Sequence, residues 1–261
     1  MHSRFYRANH ASCGGGARRA PYIDAVVIRL RWAALVYRTV AVGLIATGIV
    51  RVAGLFSPHP SLNAFLYYTV LSNVLCLVWM TWSGVRTAVD IAADGARGTS
   101  TPSARVAGAV MEAITVTMLI YLFVLVPSLF TQPGAYEPFT LTDNLVHIVT
   151  PVLVIVDWLL FVPKGRFAWY DPLLWTLAPY AYLVFAYAFG ALGGRFAPGV
   201  RYPYPFMDVE VLGVAGVATW IAGLTVALVA VGYVYVVIDR VLGVVAERAL
   251  RSRATPARPR R

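Results

Sequence analysis

Charge is scarce in this sequence. Only 13% of the 261 residues are charged, about half the share of an ordinary soluble domain. Lysine is nearly missing: Lys164 stands alone beside 21 arginines. Cysteine occurs twice, as Cys13 and Cys76, which makes neither a disulfide framework nor metal-ligand spacing and says nothing about redox compartment. Histidine occurs four times, and His147 is the only one inside an apolar stretch. What is abundant is apolar: 59% of the residues are hydrophobic and the mean hydropathy is +0.68. These values exclude a disordered chain, a disulfide-rich secreted domain and an ordinary cytosolic enzyme, and leave an integral membrane protein. At 28.5 kDa the chain fits one compact bundle with no second sizeable domain.

Six apolar stretches are long enough to cross a hydrocarbon core of roughly 30 Å at about 1.5 Å per residue: Trp32–Val50, Leu62–Trp82, Val106–Phe130, Thr142–Val162, Leu173–Leu192 and Val211–Ile238. Backbone polar groups cannot go unpaired in lipid, so spans this long and apolar are helices rather than barrel strands. The expected fold is an all-α bundle of six transmembrane helices. A basic, glycine-containing tail (1–30) precedes the six-helix domain (31–240), and an Arg-rich tail (241–261) follows it. The first thirty residues hold no apolar run before a cleavage-like site, so they read as a tail and not a signal peptide. No internal repeat is visible.

The formal net charge is +10. In a soluble protein that would suggest nucleic acid, but no recognition motif accompanies it, and the arginines flank apolar spans. Eighteen of the 22 basic residues fall on the side of both tails, three fall on the other side, and Arg38 lies within a span. The positive-inside rule therefore places both termini in the cytoplasm. The protein is expected in the cell membrane, with membrane lipids as neighbours and no nucleic-acid partner. The loop DIAADGARGTSTPSAR between the second and third spans reads as mobile.

Polar side chains within spans are costly and mark the places to look. Thr69 lies seven residues after Leu62, about 10 Å deep, and His147 five residues after Thr142, about 8 Å deep. Both spans run inward from the outside, so the two fall at similar depth. Ser72 and Asn73 share the face of Thr69, and Asp143 and Asn144 that of His147. Pro151 denies the His147 carbonyl its helical donor and should bend the helix there. A hydroxyl, an imidazole and a carboxylate to orient it make an inventory suited to nucleophilic acyl transfer. The plainer alternatives are a threonine bonded back to its own helix and a histidine paired with a neighbouring helix. No span contains lysine, which removes a retinal-type Schiff base. A two-histidine axial pair for haem is missing, and nothing implies a metal or organic cofactor.

The segments LYYTVLSN (66–73) and LVHIVTPVLVIVDWLLF (145–161), with YPYPFMD (202–208), resemble a family of bacterial six-helix membrane proteins. That family is related to the eukaryotic androgen-induced-gene family, which includes the androgen-dependent regulator of tissue factor pathway inhibitor. The resemblance covers about residues 30–240. Eukaryotic members are threonine hydrolases that cleave fatty acid esters of hydroxy fatty acids. The resemblance implies the same class of lipid-ester substrate here, with Thr69 as nucleophile and His147 as base. Ser72, Asn73 or Asn144 would then donate to the oxyanion, and Asp143 would hold the imidazole. The lead-in differs: Phe65-Leu66-Tyr67-Tyr68-Thr69 lacks the lysine of the eukaryotic Trp-Lys-Tyr-Leu-Thr-like pattern.

A second polar set lies toward the cytoplasmic side. Arg38, Glu112 and Asp157 each sit five or six residues in from a span end, about 8–9 Å deep, and two acids against one base suggest that Arg86 joins them or that one carboxyl is protonated. The expectation is a lock joining the first, third and fourth spans. The rival is a proton or solute relay in a non-catalytic transporter or scaffold. The outer segment Tyr202-Pro203-Tyr204-Pro205-Phe206 cannot be helical. It reads as a rigid interfacial plug or as a lid over Thr69 and His147, and loop 131–141, which carries Glu137, is similar in kind. Trp32, Trp79, Trp82 and Trp169 read as interface anchors.

Overall fold

The computed structural model describes residues 26–129 and 138–254. The outer parts of both tails and the loop residue Glu137 lie outside them. Among the described residues there is no strand, only two isolated β-bridges, and six helices are long and apolar enough to cross a membrane. Helix one is Arg31–Val52 and helix two Tyr68–Asp94. Helix three spans Ala104–Leu125, helix four Leu141–Phe161 and helix five Asp171–Ala191. Helix six is Val209–Ala254, interrupted at Gly213, whose φ of 65° ends its first turn. The protein is a multi-pass membrane protein. Its lipid-facing surface shows in bare apolar side chains such as Val36, Val184, Val211 and Val226, a band that a soluble protein would cover.

The helices alternate in direction. The end where helix one begins and helix six finishes is called the near end, the opposite one the far end. Helix six continues sixteen residues past the expected boundary at Ile238, so most of the basic segment after 240 is helical. The second span also departs from expectation. Leu62–Leu66 is a short 3-10 turn, Tyr67 is extended (φ −89°, ψ 142°), and the α-helix starts only at Tyr68.

The near end is stitched by arginine. Arg31 donates to Gly95 O (2.8 Å), Asp90 O (3.1 Å) and Ser100 Oγ (3.1 Å). The glycine-rich loop after helix two is thereby held down rather than left mobile, and the Gly98 amide adds a bond to Arg29 O. Lys164 also folds inward. Its ammonium donates to Val162 O at 2.8 Å and to Trp158 O, and it lies 4.6 Å from the centroid of the Trp158 ring. Burial pushes this amine down to about 8, against the opposing pull of Asp239 and Asp157.

Two apolar clusters fill the bundle. The larger holds Ile45, Met80, Met111, Ile114, Trp158, Phe167 and Trp175. The smaller, at the far end, is aromatic and holds Tyr68, Tyr182, Phe196, Tyr204 and Phe206. Trp79 belongs to the first and is only 3% exposed, so it is a core residue and not an interface anchor. It falls on the same helix-two stripe as Ser72, Cys76 and Ser83, all of them buried, as the 3.6-residue period requires. Trp32, Trp82 and Trp169 are exposed as expected.

Helix three passes close to the start of helix five at Gly108. A Cβ there would stand 2.6 Å from Trp175 Cζ2 and 2.9 Å from the Phe167 ring. Rigid rings cannot yield as a flexible chain would. Gly108→Ala is therefore expected to destabilise the protein by about 1–3 kcal/mol, read as a lowered unfolding midpoint in detergent. An unchanged midpoint would contradict this packing.

Candidate active site at the far end

Thr69 is the second residue of helix two, not the eighth of a continuous span. The carbonyl four residues back belongs to Phe65, on the other side of the extended Tyr67. The habit of span threonines is visible elsewhere in this chain: Thr39, Thr47, Thr87, Thr115, Thr219 and Thr225 each donate to the carbonyl four residues earlier. Thr69 does not share it. Its Oγ1 instead faces His147 Nε2 at 3.4 Å.

Proline explains how helix four presents His147. Pro151 has no N–H for the His147 carbonyl, and the helix widens to a π turn over Leu145–Val149, closed by the Thr150 amide on Leu145 O. The Thr150 hydroxyl also donates to Leu145 O at 2.9 Å. Helix three does the same at Tyr121–Leu125, just before Pro127. Each π turn starts six residues ahead of a proline, and each supplies one ring of a stacked pair. Tyr121 lies on His147 with centroids 4.2 Å apart and planes at 11°. Such single π turns are frequent at functional sites. Gly48 lets helix one close on this region, since a Cβ there would meet Val146 and Leu145 at 3.1 and 3.2 Å.

The imidazole has a defined partner on its second nitrogen. His147 Nδ1 lies 3.2 Å from the Asp143 carbonyl oxygen, whereas the Asp143 carboxylate is at 4.0 Å. A carbonyl only accepts, so Nδ1 carries the proton and Nε2 is left with a free lone pair toward Thr69. Asp143 thus orients the imidazole through its backbone. Its side chain accepts from Thr140 Oγ1 at 2.5 Å, and Thr140 caps this helix start by accepting from the Asp143 amide.

The expected oxyanion donors are engaged elsewhere. Asn73 Nδ2 donates to Thr69 O (2.7 Å) and Val146 O (3.0 Å), tying helix two to the π turn of helix four. Ser72 bonds Thr69 O and Thr117 Oγ1. Asn144 turns to the Phe139 carbonyl at 2.9 Å. All three sit on the expected helix faces, but Ser72 and Asn73 support the backbone around Thr69 and Asn144 supports the Phe139 carbonyl. The groups in that place are different ones. The Tyr204 phenol lies beside the Thr69 hydroxyl and close to the backbone amides of Thr69 and Tyr68, which stand at the uncapped start of helix two. Burial pushes that phenol up. Tyr204 comes from the Pro-flanked loop before helix six and stacks on Phe206 (5.5 Å, 2°). The loop therefore places the Tyr204 ring beside Thr69. Sequence reasoning named this segment but not the one side chain that counts. Tyr121 was missed altogether: it lies six residues ahead of Pro127 and His147 four ahead of Pro151, so no shared spacing marks the two rings.

Thr69 and Tyr204 line two cavities. One opens at the far end and contains Asp143, His147, Tyr67 and Asn63 as well. The other runs along helices three, five and six and is apolar.

At the near end, Arg38 and Asp157 meet as expected, with Nε–Oδ1 2.8 Å and Nη2–Oδ2 3.3 Å. The rest of the expected set does not join them. Arg86 pairs with Asp90 one turn along its own helix at 3.1 Å. Glu112 stays apart, with Oε2 buried and unpartnered among the described residues. Helix three starts at Ala104 and helix four ends at Phe161. Glu112 is thus eight residues in, about 12 Å, and Asp157 only four, about 6 Å. In place of Glu112, helix two supplies Thr87 Oγ1 (2.7 Å) and Ser83 O (3.2 Å) to Arg38, and the following loop supplies Ser100 O (3.2 Å). The lock joins helices one, two and four. No group of three or more potential metal-ligating side chains occurs among the described residues.

Comparison with protein-family models, with curated proteins and with solved structures finds no match to this chain.

Proposed function

We propose that this protein hydrolyses lipid esters within the membrane, with Thr69 as nucleophile and His147 as general base. The observation that carries this reading is the geometry of Thr69 Oγ1 facing His147 Nε2 while Nδ1 faces a backbone carbonyl, which suits the tautomer with a free lone pair on Nε2. The 3.4 Å separation is long for a hydrogen bond, as is common before substrate tightens a site.

In the proposed cycle His147 Nε2 takes the Thr69 hydroxyl proton as Oγ1 attacks the ester carbonyl. The Tyr204 phenol and the Tyr68 and Thr69 amides lie beside Oγ1, where the tetrahedral oxyanion forms. Collapse breaks the bond to the leaving alkoxy oxygen, which takes the proton from His147. Water, activated by the same nitrogen, then cleaves the Thr69 acyl ester and releases a fatty acid. With both termini in the cytoplasm, as the arginine distribution favours, the far end lies in the outer half of the cell membrane. The substrate class suggested by the sequence resemblance is a fatty acid ester of a hydroxy fatty acid.

The test is hydrolysis by the purified protein over a panel of lipid esters, these included, for wild type beside Thr69→Ala. Wild type should turn over at least one class and Thr69→Ala none, and an alkyl fluorophosphonate should label Thr69 in wild type only. Equal turnover by the two proteins overturns the proposal.

A further inference from the structure

The apolar cavity beside Thr69 has no role in the bond-breaking steps, yet its shape and chemistry are specific. Its cavity volume is about 70 Å³, well below the roughly 300–1,000 Å³ of a drug-sized ligand pocket, so it is a narrow apolar slot rather than a roomy chamber. Thr69 and Tyr204 stand at one end, and Thr176 and Leu228 lie deeper toward the middle of the bundle. Helix five touches helix six through its first turns, Asp171–Trp175, but along Leu177–Ala191 the two backbones stay apart. The cavity is lined by both of these helices and by helix three. Between helices five and six Tyr180 Oη meets Thr225 Oγ1 at 2.8 Å, and the exposed apolar side chains Val184 and Val226 follow along the same two helices.

The polar groups along the cavity wall are already bonded within the protein. The Thr225 hydroxyl donates to Ile221 O and meets Tyr180. Thr176 donates to Leu173 O, Thr117 pairs with Ser72, Tyr182 donates to Leu66 O and Tyr68 to Ala113 O. A polar ligand would find no free partner until it reached Thr69 and Tyr204. An unbranched hydrocarbon needs none, and it is what the surrounding bilayer supplies.

We infer that this cavity is the acyl-chain site of the enzyme. An acyl chain enters sideways from the membrane between helices five and six, beneath the Tyr180–Thr225 bridge, and lies with its carbonyl at Thr69. Tyr204 divides it from the far-end cavity, which receives the leaving alcohol and water beside His147. The inference rests on the hydrolase reading but is separable from it by experiment.

Esterase activity is measured on p-nitrophenyl esters from acetate to palmitate for wild type, Leu228→Trp and Leu224→Trp, with Thr69→Ala as blank. Filling the deep end with indole should lower kcat/KM for palmitate by roughly ten-fold or more while acetate changes by less than about two-fold, and the block should move to shorter chains in Leu224→Trp, nearer Thr69. A loss equal at all lengths, or an unchanged length profile, overturns the acyl-site assignment. Failure of the hydrolase reading shows differently, as wild type equal to Thr69→Ala on every ester. A second measurement needs no turnover and no variant: a palmitate carrying a terminal diazirine is photolysed with wild-type protein in detergent micelles. Adducts on the helix-three, -five and -six residues lining this cavity support the assignment, and adducts confined to other faces refute it.

Discussion

His147→Ala is expected to reduce ester turnover by about 10²–10⁴-fold, the usual contribution of a positioned general base, while leaving a folded six-helix protein. The imidazole also stacks on Tyr121, so alanine leaves a gap in the far-end packing. His147→Phe separates the two effects. A phenyl ring keeps the stack but has no nitrogen to take the Thr69 proton, so stability should stay near wild type while turnover falls as far as in the alanine variant. The measurement is initial rate of ester hydrolysis beside the unfolding midpoint in detergent. Full activity in His147→Phe would remove the base from the mechanism, and with it the reason Thr69 should be nucleophilic.

Arg38→Met should be the most damaging change to the fold, because it leaves Asp157 as an uncompensated buried carboxylate. Arg38 is 1% exposed and Asp157 2%, and breaking such a pair from one side costs about 3–5 kcal/mol. Asp157→Ala should do likewise. Replacing both residues, as Arg38→Met with Asp157→Leu, removes both charges together and is expected to recover much of the loss. The yield of folded protein after solubilisation and the unfolding midpoint read this out. A proton relay at the same residues makes the opposite forecast: Asp157→Asn would fold normally and lose pH-gradient-driven flux. The geometry favours a lock, since Nε, Nη1 and Nη2 of Arg38 are all bonded to fixed groups of helices two and four and the loop after helix two. Among the described residues Glu112 Oε2 is buried without a partner. Its depth, one turn beyond Asp157, removes it from the lock.

The candidate pair Thr69 and His147 was legible because buried polar residues are rare in apolar spans and the two occur at comparable depth. The grounds for that depth were partly wrong. Thr69 is shallow along its helix, yet the helix itself begins inside the bundle after the extended Tyr67. Supporting residues were legible only as helix faces. Sequence periodicity places Ser72 and Asn73 beside Thr69 but cannot tell whether an amide points to a cavity or to a neighbouring carbonyl, and here both turn to carbonyls. Pro151 foretold a disturbed backbone at His147; that the disturbance would be a π turn, matched by another at Tyr121, depended on two helices meeting.

By itself the sequence determined that this is a bundle of membrane-crossing helices, because the length and apolarity of six stretches leave the backbone no other way to pair its polar groups in lipid. It also marked Thr69 and His147 as side chains that could carry chemistry, since polar groups within spans are costly, but not Tyr121. Tertiary structure alone decided which polar groups meet. Arg38 takes Asp157 and helix two rather than Glu112, Arg86 takes Asp90, and Thr69 receives His147 and Tyr204 from segments 78 and 135 residues away along the chain. Helix propensity and hydropathy act over a few turns, whereas the angle and depth at which two helices cross are set by packing at positions such as Gly48 and Gly108. No local pattern encodes that sum.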